Sequence, residues 1–108
     1  MFGDGGHRAA DLMLLSLGAC LNYFLVDYVK SRDLPVTTIC VTCSGEWMKQ
    51  PDRLAKIVTR VVIEGGIDDA ERRRMLNDCE QIWKVMNTIR YQPECSTLLL
   101  SPSGEEIA

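Results

Sequence analysis

Apolar residues are densest near the N-terminus, in residues 9–29, AADLMLLSLGACLNYFLVDYV. Over residues 12–26 they occupy nearly every face of a helix, and a helix of this kind must be covered on all sides. The pattern predicts a helix that begins at Ala9 or Ala10 and ends near Arg32, because the proline three positions later disfavours helical backbone before it. We expect this buried helix to be the centre of the fold.

Two stretches with strand periodicity follow the helix. Residues 36–47 alternate and are rich in β-branched side chains, and residues 54–64 also alternate between two faces. The short segment between them contains Pro51 and Asp52, which predicts an antiparallel hairpin. Residues 96–100, STLLL, predict a third, short strand, and the tail after it is expected to be frayed.

A second helix is predicted over residues 69–89, after a pair of glycines. Either Asp68 or Asp69 suits its N-terminal cap. Apolar residues recur in it at spacings of three and four, as on one face of an amphipathic helix. These residues are Met75, Leu76, Cys79, Ile82, Trp83, Met86 and Ile89.

The order of these elements predicts an α+β fold in one domain over residues 1–108. The long central helix and the amphipathic helix are expected to pack on an antiparallel sheet. A sheet of three strands is too small to bury all of the apolar surface of this helix. We therefore expect a partner chain over the part that remains.

Composition and charge narrow the functional classes. The net charge of −3, with acidic residues around the arginines at 72–74, gives no basic surface for nucleic acid. The run at residues 12–26 is shorter than the roughly 18 residues that span a membrane, which predicts a core helix without membrane contact. The glycine-rich residues 1–8 are expected to form a flexible loop and lack a signal-peptide pattern. The five cysteines have no regular spacing, which predicts reduced thiols and a cytoplasmic location.

Cys40 and Cys43 form a C-x-x-C pair and raise the question of a zinc site. Residues three apart in a strand point to opposite faces, and no second pair supplies the other two ligands. We therefore predict no metal and no cofactor. Cys95 is isolated, and His7 has no serine or cysteine motif around it that would make a catalytic triad.

Three stretches resemble the OsmC/Ohr family, whose enzymatic members reduce organic hydroperoxides. The letters LGAC at residues 17–20 are similar to the family's Leu-Gly-Ala/Gly-Cys motif, which ends in the peroxidatic cysteine. The letters LPVTTICVTCSGEW are similar to the strand after that helix, and GIDD at residues 66–69 is similar to the start of the second long helix. The resemblance implies an intertwined homodimer with Cys20 as the peroxidatic thiol.

Residues 83–89, WKVMNTI, stand where the family has Cys-Pro-Val-x-x-Thr-Leu. Trp83 therefore takes the position of the family's second, resolving cysteine. Cys79 lies one helical turn earlier on the same face and is the candidate substitute. Trp83, Leu17 and Met86 are expected to contact an apolar hydroperoxide or ligand.

The family's N-terminal strands, with the arginine that pairs with the reactive thiol, have no counterpart in the sequence. Asp11, or Ala10 if the register shifts by one, matches the acidic residue that orients that arginine. Arg8 and His7 are candidates to supply the missing positive charge.

The residues leave alternative functions open. Peroxide reduction by a thiol needs a lowered pKa, a second thiol and an apolar pocket. Cys20 and Cys79 also fit plain core positions on apolar helix faces. The alternatives to a peroxidase are a non-catalytic homodimer that binds a small apolar ligand at its interface, and a dimer with no site.

Overall fold

The computed structural model describes residues 5–107, with side chains from Ala9 onward. The described chain contains three helices and two strands, in the order α1 (Gly5–Arg32), β1 (Val36–Met48), β2 (Arg53–Gly65), α2 (Asp69–Gln81) and α3 (Lys84–Arg90). The α+β class is therefore confirmed.

Helix α1 begins four residues before the predicted Ala9, so the expectation of a loop over residues 1–8 is wrong from Gly5 onward. Glycine costs little in a first helical turn, because the N–H groups there have no helical partner in any case. The helix ends at Arg32 as predicted. Asp33 then adopts a positive φ of 52°, and the Leu34 N–H donates to the Val29 carbonyl across 3.1 Å, which closes the last turn.

The prediction that the apolar run is too short to span a membrane does not hold, because the apolar part of α1 extends beyond residues 12–26. Within Ala9–Arg32, a helical segment of 24 residues, one stretch of 18 residues has a mean hydropathy of 1.7, so the segment is long and apolar enough to cross a membrane by length and composition alone. The core helix of a soluble protein meets the same criterion. In this fold α1 packs against strand β1 and against helices α2 and α3.

The strands β1 and β2 form the predicted antiparallel hairpin, with Val41 opposite Val61 at its centre. The prediction of a third strand over residues 96–100 is wrong, since the described sheet has two strands and this exposed segment has no backbone partner as far as Leu98. The tail is not frayed over residues 99–107: the Ile107 N–H donates to the Leu99 carbonyl at 2.8 Å, and Leu100 bridges Glu106. The segment has strand propensity, but within one chain it pairs with no sheet edge.

Asp68 caps α2, because its carboxylate accepts a hydrogen bond of 2.8 Å from the Glu71 N–H. Arg72, in the first turn, donates to the carbonyls of Ile63 at 2.8 Å and Gly65 at 3.2 Å. Gly65 has a φ of 153°, and a Cβ there would collide with the Pro35 carbonyl. These contacts fix the start of α2 against the end of the hairpin.

The single helix predicted over residues 69–89 is wrong, because the chain leaves the helix at Ile82 and Trp83 before α3 begins. Trp83 is only 1% exposed, and its indole N–H donates to the Leu17 carbonyl of α1 across 2.9 Å. A buried indole needs an acceptor for its N–H, and the break coincides with the residue that reaches one on α1. A pattern of apolar spacing does not contain this requirement.

The buried core lies between α1, the hairpin and α2–α3. Its members are Leu17, Leu21, Leu25, Tyr28, Ile63, Met75, Cys79, Trp83 and Met86. Helix α1 comes close to the sheet at Gly18, where a Cβ would lie 3.6 Å from the Cys43 Sγ.

The opposite face of α1 is exposed, so the expectation that this helix is covered on all sides does not hold for a single chain. Leu12, Leu15 and Tyr23 are 65%, 68% and 67% exposed. Together with Ala19 they follow spacings of three and four and form one apolar stripe. We call these four residues the outer stripe of α1.

Candidate functional site

Cys20 lies in the middle of α1 and is half-buried at the margin of the core. It is one turn after Leu17 and one turn before Phe24, whose ring meets Tyr23 edge-on at a centroid distance of 5.5 Å. Among residues 9–107, no basic side chain forms a hydrogen bond or an ion pair with Cys20. The side chains of His7 and Arg8, the predicted replacements for the family's arginine, lie outside the described residues.

Cys79 is a core residue of α2 with 1% of its surface exposed. Burial raises the pKa of its thiol, and the negative charge of Asp78 raises this pKa further, while Arg32 acts in the opposite direction. Cys20 packs against the cluster that contains Cys79, so the structure brings both thiols to the same core. A raised pKa means that Cys79 holds very little thiolate at neutral pH.

The raised pKa of Cys79 has a consequence for stability that can be measured. The unfolded thiol ionises near its ordinary pKa of 9, whereas the folded one stays protonated to higher pH. The part of the folding stability that depends on a protonated Cys79 is therefore fully present below pH 9. It is lost as the pH rises through the pKa of the folded thiol. We expect urea unfolding curves to show a fall in the free energy of unfolding between pH 8 and pH 10, with a shallower fall in the Cys79→Ala variant. If the free energy of unfolding fell equally steeply with pH in both proteins, the raised pKa of Cys79 would be contradicted. Burial also raises the pKa of Tyr28, and this adds the same fall to both proteins.

The structure does not bring Asp11 to Cys20. The two residues are nine apart on α1, and at 100° per residue this places them on opposite sides of the helix. Asp11 is exposed and faces strand β1, so it shares no surface with the thiol that it was predicted to serve.

The three residues predicted to contact substrate all lie in the core. Leu17 is fully buried, Trp83 is 1% exposed and Met86 is 7% exposed. Trp83 is held from two sides, by its bond to the Leu17 carbonyl and by the Arg90 guanidinium 5.8 Å from the centre of its ring. It fills the space at this position with a packed side chain, and none of the three lines the open groove described next.

An open groove of about 550 Å³ runs between α1 and β1. It is lined by Asp11, Leu14, Leu15, Gly18, Ala19 and Asn22 of α1 and by residues 39–43 of β1. The sequence reasoning missed it, although the small residues Gly18 and Ala19 beside a strand are a signal for close approach. The groove is open, and its apolar side chains are accompanied by the polar side chains of Asp11, Asn22 and Thr42.

The C-x-x-C pair lies at this groove with its two thiols in different surroundings. Cys40 is exposed, whereas Cys43 is half-buried under Gly18 and lies 3.3 Å from the Thr59 hydroxyl, its partner across the hairpin. The prediction that the two side chains point to opposite faces is confirmed. Within the described residues, no group of three or more His, Cys, Asp and Glu side chains is placed to hold a metal ion.

Comparison with protein families gives a match to the model described as OsmC-like protein, which covers residues 2–97. A search of curated proteins found no match. The matched region includes both thiols of the core, the whole hairpin and all three helices. The chain therefore belongs to the OsmC-like family.

Proposed function

We propose that this protein is a thiol peroxidase that reduces organic hydroperoxides, with Cys20 as the peroxidatic residue. The observation that carries the proposal is the contrast between the two core thiols. Cys20 is half-buried and reachable from solvent, whereas Cys79 is 1% exposed. Cys20 also ends the LGAC stretch that resembles the family's reactive motif, and its apolar surroundings suit an alkyl hydroperoxide.

In this reaction the Cys20 thiolate attacks the outer oxygen of the hydroperoxide. A sulfur–oxygen bond forms and the oxygen–oxygen bond breaks. Cys20 becomes a sulfenic acid, and the leaving alkoxide takes up a proton to give the alcohol. A second thiol then condenses with the sulfenic acid, which forms a disulfide and releases water.

The second thiol comes from outside the chain in our proposal, although Cys79 remains the candidate within it. Trp83 occupies the position of the family's resolving cysteine in the alignment and is packed in the core. Cys79 is deeply buried, and its raised pKa leaves little thiolate to attack. We expect a small thiol or a thiol-bearing protein to reduce Cys20 faster than Cys79 does.

The proposal includes a homodimer in the cytoplasm. The outer stripe of α1 is apolar and exposed, and a soluble protein rarely leaves such a surface uncovered. A second copy that packs along this stripe would also cover the margin of the helix on which Cys20 lies. This would place the peroxide site at the edge of the interface.

The test is to treat the fully reduced protein, freed of reductant, with one equivalent of cumene hydroperoxide. A dimedone-type reagent then traps sulfenic acid, and peptide mass mapping locates it. We expect the trapped adduct at Cys20 within seconds, with little at the exposed Cys40 and Cys95. Without the trap, added glutathione should appear as a mixed disulfide on Cys20.

A Cys79→Ser variant is the matched control. If Cys79 resolves the sulfenic acid, the wild-type protein yields a Cys20–Cys79 disulfide and the variant stalls at the adduct. If an external thiol resolves it, both proteins give the same products. A Cys20 that remains a free thiol while the hydroperoxide persists would refute the peroxidase and favour the non-catalytic alternative that binds an apolar ligand.

A further inference from the structure

Another open groove lies where α2 meets α3, and we call it the polar groove. Its volume of about 480 Å³ is typical of small-molecule sites. Three of its residues belong to the C-terminal part of α2 and three to the end of α3. Within each set the residues are three and four positions apart, so they share one helix face. The groove is lined by Asn77, Glu80, Gln81, Asn87, Arg90 and Tyr91.

Most of the hydrogen-bonding capacity of the polar groove is unused. Within the described residues, the side chains of Asn77, Gln81 and Tyr91 form no hydrogen bond. Asn87 donates its side-chain N–H to the Gln81 carbonyl across 3.0 Å, which leaves its own side-chain oxygen as an acceptor. Primary amides offer donors and acceptors together, so the groove suits a ligand that is rich in groups of both kinds.

Glu80 and Arg90 place opposite charges in the polar groove. The Glu80 Oε1 and the Arg90 Nη2 are 4.0 Å apart, which is too long for a direct hydrogen bond. One hydroxyl group bridges such a gap, because it donates to the carboxylate and accepts from the guanidinium. Both bonds are strengthened by the charge of the protein group. The Arg90 guanidinium also lies 5.8 Å from the centre of the Trp83 ring, which helps to hold it in place.

The charge of the polar groove favours a neutral ligand. Glu80 and Arg90 are the two charged residues of its lining, and their charges cancel. The carbonyl ends of α2 and α3 lie at the groove and carry partial negative charge, which disfavours an anion further. An apolar ligand would leave the polar side chains without partners, at a cost in free energy. These conditions favour a neutral ligand with several hydroxyl groups.

Tyr91 adds an aromatic surface to the polar groove. It is 78% exposed, so its ring is accessible to a ligand. A pyranose sugar has one face of C–H groups, and the negative face of an aromatic ring attracts the positive ends of such bonds. A sugar ring that packs on Tyr91 therefore satisfies its apolar face there and its hydroxyl groups on the amides and the charged pair.

We propose that the polar groove is a binding site for a pyranose sugar. One hydroxyl group bridges Glu80 and Arg90, and the C–H face of the ring packs on Tyr91. The neighbouring hydroxyl groups bind the amides of α2 and α3. None of the residues of the proposed peroxide reaction lines this groove, so sugar binding is a separate function and its test is independent of the Cys20 chemistry.

The test is a nuclear magnetic resonance titration of the isotope-labelled protein with glucose, galactose and mannose, which differ in the orientation of single hydroxyl groups. Glycerol serves as a polyol without a ring, and sodium acetate as an anion. With at least one of the sugars we expect saturable shifts of the side-chain amide signals of Asn77, Gln81 and Asn87. The dissociation constant should be on the order of 1 mM, the strength of a few net hydrogen bonds.

Three variants locate the binding site. Glu80→Ala removes the acceptor of the bridging hydroxyl group, and the dissociation constant should rise at least about tenfold, as for the loss of a hydrogen bond to a charged group. Tyr91→Ala removes the aromatic surface and should raise the constant about fivefold. Lys84→Gln, the matched control, changes an exposed residue of α3 outside the groove and should leave it unchanged. Circular dichroism verifies the fold of all three.

Four results would overturn the inference. If none of the three sugars gives saturable shifts well above the expected dissociation constant, the groove is not a sugar site. Saturable shifts that persist unchanged in Glu80→Ala and Tyr91→Ala would place the binding elsewhere. If acetate reproduced the shifts at the same residues, the groove would be an anion site at Arg90. If glycerol reproduced them, they would reflect general solvation of an exposed surface.

Discussion

Replacement of Trp83 by alanine is expected to lower the free energy of unfolding by about 3–5 kcal/mol, the usual cost of removing a large buried aromatic side chain. Trp83 is 1% exposed and among the largest fully buried side chains of the described core. Its removal leaves a cavity between α1 and the junction of α2 with α3. Urea unfolding followed by far-ultraviolet circular dichroism measures the change.

The Trp83→Phe variant separates packing from hydrogen bonding. Phenylalanine keeps most of the apolar volume but cannot donate to the Leu17 carbonyl, which lies 2.9 Å from the indole nitrogen. That carbonyl belongs to a helical residue and keeps its helical partner, so the loss is expected to be about 1–2 kcal/mol. If both variants lost the same free energy of unfolding, the hydrogen bond and not the buried volume of Trp83 would account for most of its effect. A loss below about 1 kcal/mol in Trp83→Ala would contradict the tightly packed position of this side chain.

The position of Trp83 links the core to the chemistry. In the proposed function Trp83 stands where a resolving cysteine would lie, and its indole N–H joins the start of α3 to α1 through the Leu17 carbonyl. The indole reaches α1 at Leu17, one turn before Cys20, so Trp83 supplies packing beside the thiol that we propose to be peroxidatic. Because Trp83 has no thiol to offer at this position, we propose that an external thiol reduces Cys20.

Local signals in the sequence predicted the elements whose boundaries depend on local chemistry. The end of α1 depends on the residues after Arg32, the start of α2 on the Asp68 cap, and the hairpin on two alternating stretches. These features need no knowledge of distant residues, and the structure confirms all three.

The features that sequence reasoning missed depend on contacts between distant residues. The break at residues 82–83 coincides with a hydrogen bond from Trp83 to a carbonyl of α1 that is 66 positions away in sequence. The STLLL stretch has the composition of a strand but pairs with no edge of the sheet in its own chain, and composition does not reveal which strands come into contact. The groove between α1 and β1 arises from the crossing of two elements, so no single stretch encodes it.

From the sequence motif, only the position of Cys20 in the candidate site could be predicted, and not the residues around it. The LGAC stretch located Cys20, and the structure places it half-buried at the margin of the core. Asp11 was chosen from an alignment and lies on the opposite side of α1, because a spacing of nine residues turns a helix through two and a half turns. Spacing along a known helix could have excluded this pair, since the helix itself was predicted.

Replacement of Cys20 by serine is expected to abolish peroxide reduction. The hydroxyl is close in size to the thiol, so the fold should be kept, but serine cannot be oxidised to a sulfenic acid. With cumene hydroperoxide and excess dithiothreitol, peroxide consumption by the Cys20→Ser protein should fall to the rate of the dithiothreitol alone. A ferrous-oxidation assay of the remaining hydroperoxide measures this rate, and circular dichroism verifies the fold.

Two further variants determine what a loss of activity means. Cys95→Ser removes an exposed thiol and should leave the rate unchanged, which controls for unspecific oxidation of accessible cysteines. Cys79→Ser should also leave it unchanged, because a buried thiol with a raised pKa supplies little thiolate for either step. Turnover should then increase with the concentration of dithiothreitol, since the external thiol performs the second step. Full activity in Cys20→Ser would mean that another cysteine reacts with the peroxide. If Cys79→Ser lost activity while its fold stayed intact, Cys79 would be the resolving thiol in spite of its burial.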